Sequence, residues 1–93
     1  MEKLEIIKSL DELLGDSEKA LTPENFSKYR LFIEEQIFPS VTWLGLDVDS
    51  IYEDYQLELI QSSGGSNKPS TGRLRYIKGH LTTLLKRVKE YNS

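Results

Sequence analysis

The stretch that decides the fold is residues 73–91, RLRYIKGHLTTLLKRVKEY, in a chain of 93 residues. Its apolar residues recur at alternating intervals of three and four residues. This is the spacing of a helix stripe that packs nearly parallel or antiparallel to a neighbour. The stripe consists of Leu74, Ile77, Leu81, Leu84, Val88 and Tyr91. The pattern predicts an amphipathic helix that needs other helices to cover its apolar side.

Two earlier segments have the same amphipathic character. Residues 2–14 place their leucines and isoleucines on one half of a helical wheel. Residues 23–38 begin with strong start signals, because Thr22 can cap free backbone N–H groups and Pro23 suits the first helical position. Pro39 is expected to end this second helix. Both segments are therefore predicted to be helices.

A third segment, residues 48–61, carries apolar residues along one side of the wheel. Asp47 or Asp49 can cap its start, and Ser50 with Glu53 fits a capping box as well. The short run 41–44 before it has no partner strand, so we interpret it as a packed connection. The sequence thus predicts one more helix between residues 48 and 61.

Residues 62–72 separate this segment from the last helix, and their glycine- and serine-rich composition predicts a flexible loop. Four amphipathic helices with otherwise short connections predict an all-α fold, a small antiparallel four-helix bundle. A chain of this length is expected to form one domain, which spans residues 1–93.

The charges are unevenly distributed along the chain. The formal net charge of −3 arises from 12 basic and 15 acidic side chains. Residues 1–63 hold 14 acidic and 5 basic residues, whereas residues 64–93 hold 7 basic and 1 acidic. The absence of cysteine excludes a disulfide framework, a thiol nucleophile and a thiolate metal site. Without a secretory signal or an apolar run of roughly 20 residues, the chain is expected to be cytoplasmic and without membrane contact.

Residues 47–58 resemble part of a calcium-binding loop, with aspartate at the first and third positions and glutamate at the twelfth. Ile51 and Tyr52, however, stand where such a loop needs a ligand and a glycine. Helix capping explains the acidic residues at its start without a metal. His80 is the only histidine, which excludes sites with two or more imidazoles. We therefore expect no metal and no cofactor.

His80 takes part in one spacing with a known meaning. Arg75 and His80 form an Arg-x4-His pattern, and Arg73 stands two residues before Arg75. The pattern resembles the motif of the HEPN helical ribonucleases, which are bundles that usually dimerise to bring two such motifs together. The resemblance implies RNA cleavage by His80 with Arg75 or Arg73, which makes these three the candidate catalytic residues. On a regular helix Arg73 and His80 share a face, whereas Arg75 lies about 140° from His80.

One flank of the predicted last helix, within about 80° on the wheel, carries four basic residues, namely Arg75, Lys78, Lys86 and Lys89. Such a strip, within residues 73–89, can follow the phosphate backbone of a nucleic acid. The same side chains can instead lie over acidic neighbours in the bundle and reduce the repulsion among them. Both interpretations stay open.

Three apolar residues fall outside the predicted buried stripes, namely Trp43, Leu57 and Ile60. Trp43 either packs over one end of the bundle or anchors a partner, as tryptophans at interfaces often do. Leu57 and Ile60 give the third helix a second apolar side, which favours contact with a partner or with a second copy of the chain.

These features lead to three hypotheses of function. The preferred one is a small non-catalytic module for protein–protein interaction, acting as a regulator or inhibitor. Its candidate binding residues are Trp43, Leu57, Ile60, Arg75, Lys78, Lys86 and Lys89. The second is a nucleic-acid-directed protein, either a binder through the basic last helix or a HEPN-like ribonuclease. The third is an acidic mimic of DNA, in which carboxylates of residues 1–63 occupy a nucleic-acid-binding surface on a target.

Overall fold

The computed structural model describes residues 1–61 and 68–91, and every regular element in those ranges is helical. The elements are α1 (Lys3–Leu14), α2 (Phe26–Phe32), a π-helical segment (Ile33–Ile37), α3 (Phe38–Trp43), α4 (Asp49–Ile60) and α5 (Thr71–Glu90). The predicted all-α fold is confirmed. Of the loop predicted over residues 62–72, residues 62–67 lie outside the described ranges, and α5 already begins at Thr71.

The second helix continues well past its predicted end. α2, the π-helical segment and α3 form one continuous helix from Phe26 to Trp43, with right-handed helical torsion angles at both junctions. Pro39 lies inside it, although proline lacks an N–H and its ring crowds the carbonyl four residues earlier. The π-helical segment ends at Ile37, two residues before Pro39, and so replaces the regular α-helical hydrogen-bond pattern just where proline would disrupt it. The predicted helix end at residue 38 was therefore wrong, as was the packed connection predicted for residues 41–44.

The predicted capping residue, Thr22, bonds within the turn before this helix rather than to the first turn of α2. Thr22 Oγ1 accepts from the backbone N–H of Asn25 at 3.1 Å, and Asn25 Oδ1 accepts from the backbone N–H of Thr22 at 2.8 Å. This reciprocal pair has the geometry of a capping box. Residues 23–25 form a turn, so α2 begins at Phe26 rather than at Pro23.

Side chains before α4 and α5 accept from backbone N–H groups, but only α5 has a side-chain cap at its N-cap residue. Asp47 Oδ1 accepts from the backbone N–H of Asp49 at 3.3 Å, directly before α4. Ser50 already lies in the first turn of α4, so the capping box predicted for it does not set the helix start. Ser70 Oγ accepts from the backbone N–H of Arg73 at 3.1 Å, and α5 therefore begins two residues before its predicted start.

The apolar stripes of the helices form a common core. α5 packs against both α1 and α4 and buries its whole predicted stripe except Tyr91, which is partly exposed. The rings of Phe38, Tyr52 and Tyr55 contact one another, with centroids 4.7 to 6.1 Å apart. The other helices contribute Ile6, Leu10, Leu13, Phe26, Ile33, Ile37, Val41, Ile51 and Leu59. None of the helices in the described ranges has the length and apolarity that a membrane crossing requires.

Hydrogen bonds at the end of α5 connect it to the start of α1 and to the turn between α3 and α4. Lys3, at the start of α1, donates to the carbonyl of Tyr91 just after α5, as expected for antiparallel neighbours. The hydroxyl of Tyr91 donates to the carbonyl of Leu44, in the turn between α3 and α4. Gly45 in this turn has a φ of +89°, a left-handed conformation that favours glycine. The turn after Trp43 is thus held by Tyr91, the residue that directly follows α5.

Candidate functional site

The three apolar residues selected from the sequence lie on the surface. Trp43 is 80% exposed, Ile60 is 77% exposed and Leu57 is 46% exposed. Trp43 therefore does not pack over the end of the bundle. Sequence reasoning missed three further exposed side chains, namely Leu4, Leu31 and Tyr76. Leu4 lies at the edge of the apolar stripe of α1, where only the position of the neighbouring helix decides whether a residue is covered.

Trp43 ends α3 and precedes a turn that is fixed from several directions. The backbone N–H groups of the next three residues donate to carbonyls of α3 at 2.9 to 3.1 Å. Tyr91 adds its hydrogen bond to Leu44, and Gly45 supplies the positive φ that directs the chain toward α4. The indole therefore extends from a backbone that hydrogen bonds already fix, so little conformational entropy is lost when a partner binds.

The structure separates Trp43 from the pair Leu57 and Ile60. α4 runs away from the turn that follows Trp43, and its ends, Asp49 and Ile60, are about 16 Å apart along the helix axis. Ile60 instead borders a shallow groove toward α2, beside Arg30. The predicted apolar contact residues thus form two separate surface features rather than one patch.

Arg73 and His80 meet at one carboxylate. Arg73 Nη1 donates to Glu58 Oε2 at 2.6 Å, and His80 Nε2 lies 3.4 Å from Glu58 Oε1. Arg73 Nη1 also donates to Gln61 Oε1 at 3.2 Å. Burial raises the pKa of Glu58, but the hydrogen bonds from Arg73 and His80 outweigh burial and lower this pKa below its ordinary value. The cluster links the end of α4 to α5.

This geometry divides the candidate catalytic residues. Arg73 and His80 share a side of α5, which faces α4. Arg75 lies on the other flank, beside residues 21–23, and α5 is unbroken at Gly79. Arg75 and His80, the two residues of the Arg-x4-His pattern, therefore lie on different sides of α5 within one chain. Arg73 lies on the same side of α5 as His80, but its guanidinium is already bound by the Glu58 carboxylate, which reduces the charge it can offer to a phosphate.

The four residues of the predicted basic strip have different surroundings. Lys89 Nζ lies 3.7 Å from Asp11 Oδ1 of α1, an exposed pair of the kind that contributes little to stability. Arg75, Lys78 and Lys86 form no ion pair with any residue that the structure describes. Among the four, Lys89 is thus the one for which an ion pair in the described part of the chain supports contact with an acidic neighbour.

Some carboxylates of the acidic segment are already occupied inside the molecule. Glu12 pairs with Lys19 at 3.1 Å, and Glu34 pairs with Arg30 at 2.7 Å. Glu34 also accepts from the hydroxyl of the fully buried Tyr55 at 3.1 Å. Burial, followed by the charge of Glu34, raises the pKa of Tyr55. These contacts reduce the acidic surface that is free to imitate DNA.

Within residues 1–61 and 68–91, no three histidine, aspartate or glutamate side chains converge to form a metal site. Comparisons of the chain with models of protein families, with curated proteins and with solved structures find no match. The candidates for function therefore depend on the surface features of this chain alone.

Proposed function

We propose that the protein is a non-catalytic interaction module that anchors a partner protein through Trp43. The observation that carries this proposal is the 80% exposure of the side chain at the end of a helix, before a turn fixed by Tyr91 and Gly45. When a partner covers a large aromatic side chain that is exposed to water, the free energy of the system falls. Tryptophan is accordingly enriched among the residues that dominate interfaces.

The exposed indole offers a substantial free energy of burial. A tryptophan side chain presents roughly 200 Å² of surface, and burial contributes about 25 cal/mol per Å². Covering the exposed 80% therefore contributes about 4 kcal/mol before the costs of association. Truncation of an interface hot spot costs about 2 kcal/mol or more, which corresponds to a loss of about 30-fold in affinity.

The surroundings of Trp43 indicate the chemistry of the partner. Asp47 follows in the connection to α4, Asp49 is the first residue of α4, and both are exposed. Neither forms an ion pair within the described part of the chain. A shallow groove between α3 and α4 opens beside Thr42, next to the indole in sequence. A matching partner has an apolar pocket for the indole and basic groups around its rim.

The proposal is tested by capturing a partner from extracts of the native host and then measuring its affinity in purified form. The key variant is Trp43→Ala, and the matched control is Tyr76→Ala, which removes an exposed aromatic side chain from α5. Wild type and the control should bind the partner equally, whereas Trp43→Ala should bind it about 30-fold more weakly. Neither side chain belongs to the core, so both variants should keep the helical circular dichroism spectrum.

Two results would contradict the proposal. The first is equal binding by wild type and Trp43→Ala. The second is a loss of binding in Leu57→Asp with full binding in Trp43→Ala, which would place the interface on α4.

A further inference from the structure

A groove of about 340 Å³ lies between residues 21–23 and the first two turns of α5. Its lining combines the apolar side chains Leu21, Pro23 and Leu74 with the polar side chains Thr22, Thr71, Arg75 and Lys78. Leu21 and Leu74 are buried and form its floor. No acidic residue lines the groove.

The positive charge of this groove is not neutralised by the part of the chain that the structure describes. Arg75 and Lys78 form no ion pair there. The only acidic residue after residue 63 is Glu90, at the opposite end of α5, so residues 62–67 supply no carboxylate either. Like charges one helical turn apart repel each other. A bound anion would remove this repulsion.

We propose that the groove binds one phosphate monoester of a small molecule whose organic part is apolar. At neutral pH such a phosphate carries a charge of about −1.5 to −2, which two cations match. Arg75 can bind two of its oxygens at once, and Lys78 acts as a mobile point charge. The two threonine hydroxyls at the groove can donate to the remaining oxygens. The partly exposed ring of Pro23, above the buried Leu21 and Leu74, accommodates the organic part.

A compact ligand fits this surface better than a nucleic-acid strand does. About 16 Å beyond Lys78 along α5, Lys89 lies beside Asp11 and is followed in sequence by Glu90. These carboxylates interrupt the positive surface, whereas a bound strand needs positive charge along its length. The groove is also at the opposite end of α5 from the turn that follows Trp43. Its test is therefore independent of the proposed interaction function.

The test titrates isotope-labelled protein separately with phenyl phosphate and inorganic phosphate, and follows the backbone amide signals by NMR. Saturable shifts should be confined to residues 20–25 and 71–78. Phenyl phosphate should bind more tightly than inorganic phosphate, because only phenyl phosphate covers apolar surface at Pro23 and along the groove. The double variant Arg75→Gln, Lys78→Gln should bind phenyl phosphate about tenfold more weakly.

The matched control is the double variant Lys86→Gln, Arg87→Gln, which removes two charges from α5 outside the groove. It should change the affinity less than about twofold, because salt screens charges at this distance. Glutamine has a helix propensity close to those of lysine and arginine, so both double variants should fold.

Three outcomes would overturn the proposal. One is the absence of saturable shifts at the groove. Another is an equal loss of phenyl phosphate binding in both double variants. The third is a single-stranded RNA that binds more tightly than phenyl phosphate and is weakened equally by both double variants, because that result would indicate a continuous strip rather than a single site.

Discussion

Gly79 interrupts the exposed side of α5, and Gly79→Ala should stabilise the protein. The residue lies in the interior of a 20-residue helix and is exposed to solvent. A Cβ added there meets no atom within 4 Å, so alanine would introduce no clash. Glycine in an exposed helix interior is about 1 kcal/mol less favourable than alanine. The free energy of unfolding should therefore rise by about 1 kcal/mol.

The same substitution at Gly45 should have the opposite effect. Gly45 has a φ of +89°, and a Cβ there would lie 2.9 Å from the hydroxyl oxygen of Tyr91. That hydroxyl donates to the carbonyl of Leu44, so it cannot move away without breaking a hydrogen bond. The unfavourable torsion angle alone costs about 1 to 2 kcal/mol. Gly45→Ala should therefore lower the free energy of unfolding by at least this amount.

Thermal unfolding followed by circular dichroism measures both effects. For a domain of this size, 1 kcal/mol corresponds to a change of about 4 to 8 °C in Tm. Gly79→Ala should raise Tm by about that much, and Gly45→Ala should lower it by the same amount or more. A lower Tm for Gly79→Ala, or changes of the same sign in both variants, would refute the reasoning about these two glycines.

The contacts between helices lead to further expected outcomes. Because folding lowers the pKa of Glu58, its stabilising contribution is complete above the ordinary pKa of 4.5 and is lost as the pH falls below that value. In urea unfolding, Glu58→Gln should lose less stability in acid than the wild-type protein does. The same dependence of the unfolding free energy on pH in both proteins would contradict the stabilising role of this carboxylate. Tyr55→Phe should lower the unfolding free energy by about 1.5 to 3 kcal/mol, because Glu34 loses a buried donor; no measurable change would contradict the contact. Leu57→Ser should change the unfolding free energy by less than about 0.5 kcal/mol, because Leu57 lies on the surface. A larger decrease in the unfolding free energy would place Leu57 in the core.

The helix boundaries show where local sequence signals suffice. Thr22 accepts from a backbone N–H three residues later, as its residue type predicts, because this contact depends on local sequence alone. The bond closes the turn before α2, and the helix itself begins only at Phe26. The continuation of that helix past Pro39 depends on packing instead. Ile33, Ile37 and Phe38 are all buried around the π turn, and their burial offsets the cost of about 3 kcal/mol for proline in a helix. No local pattern carries that information.

The features of the candidate site, like the helix boundaries, could be predicted from the sequence only in part. The helical wheel correctly placed Leu57 and Ile60 away from the buried stripe of α4, because that needs only the period of a helix. Whether Trp43 is exposed depends on whether residues 41–44 are helical. The sequence did not indicate this, because Pro39 predicted that the helix ends before them. Glu58 was missed as the partner of Arg73 and His80, which lie 15 and 22 residues away. Such a contact requires the register between two helices, which one sequence does not define.

The exposure of Trp43 is the basis of the proposed function, and its fluorescence tests that exposure directly. Trp43 is the only tryptophan of the chain, so the emission reports on this side chain alone. Acrylamide, a neutral quencher, should quench it nearly as efficiently as a free tryptophan derivative, and addition of the captured partner should protect it. Strong protection in the isolated protein at every dilution would contradict the account, because the indole would then be packed within the bundle and could not serve as the anchor.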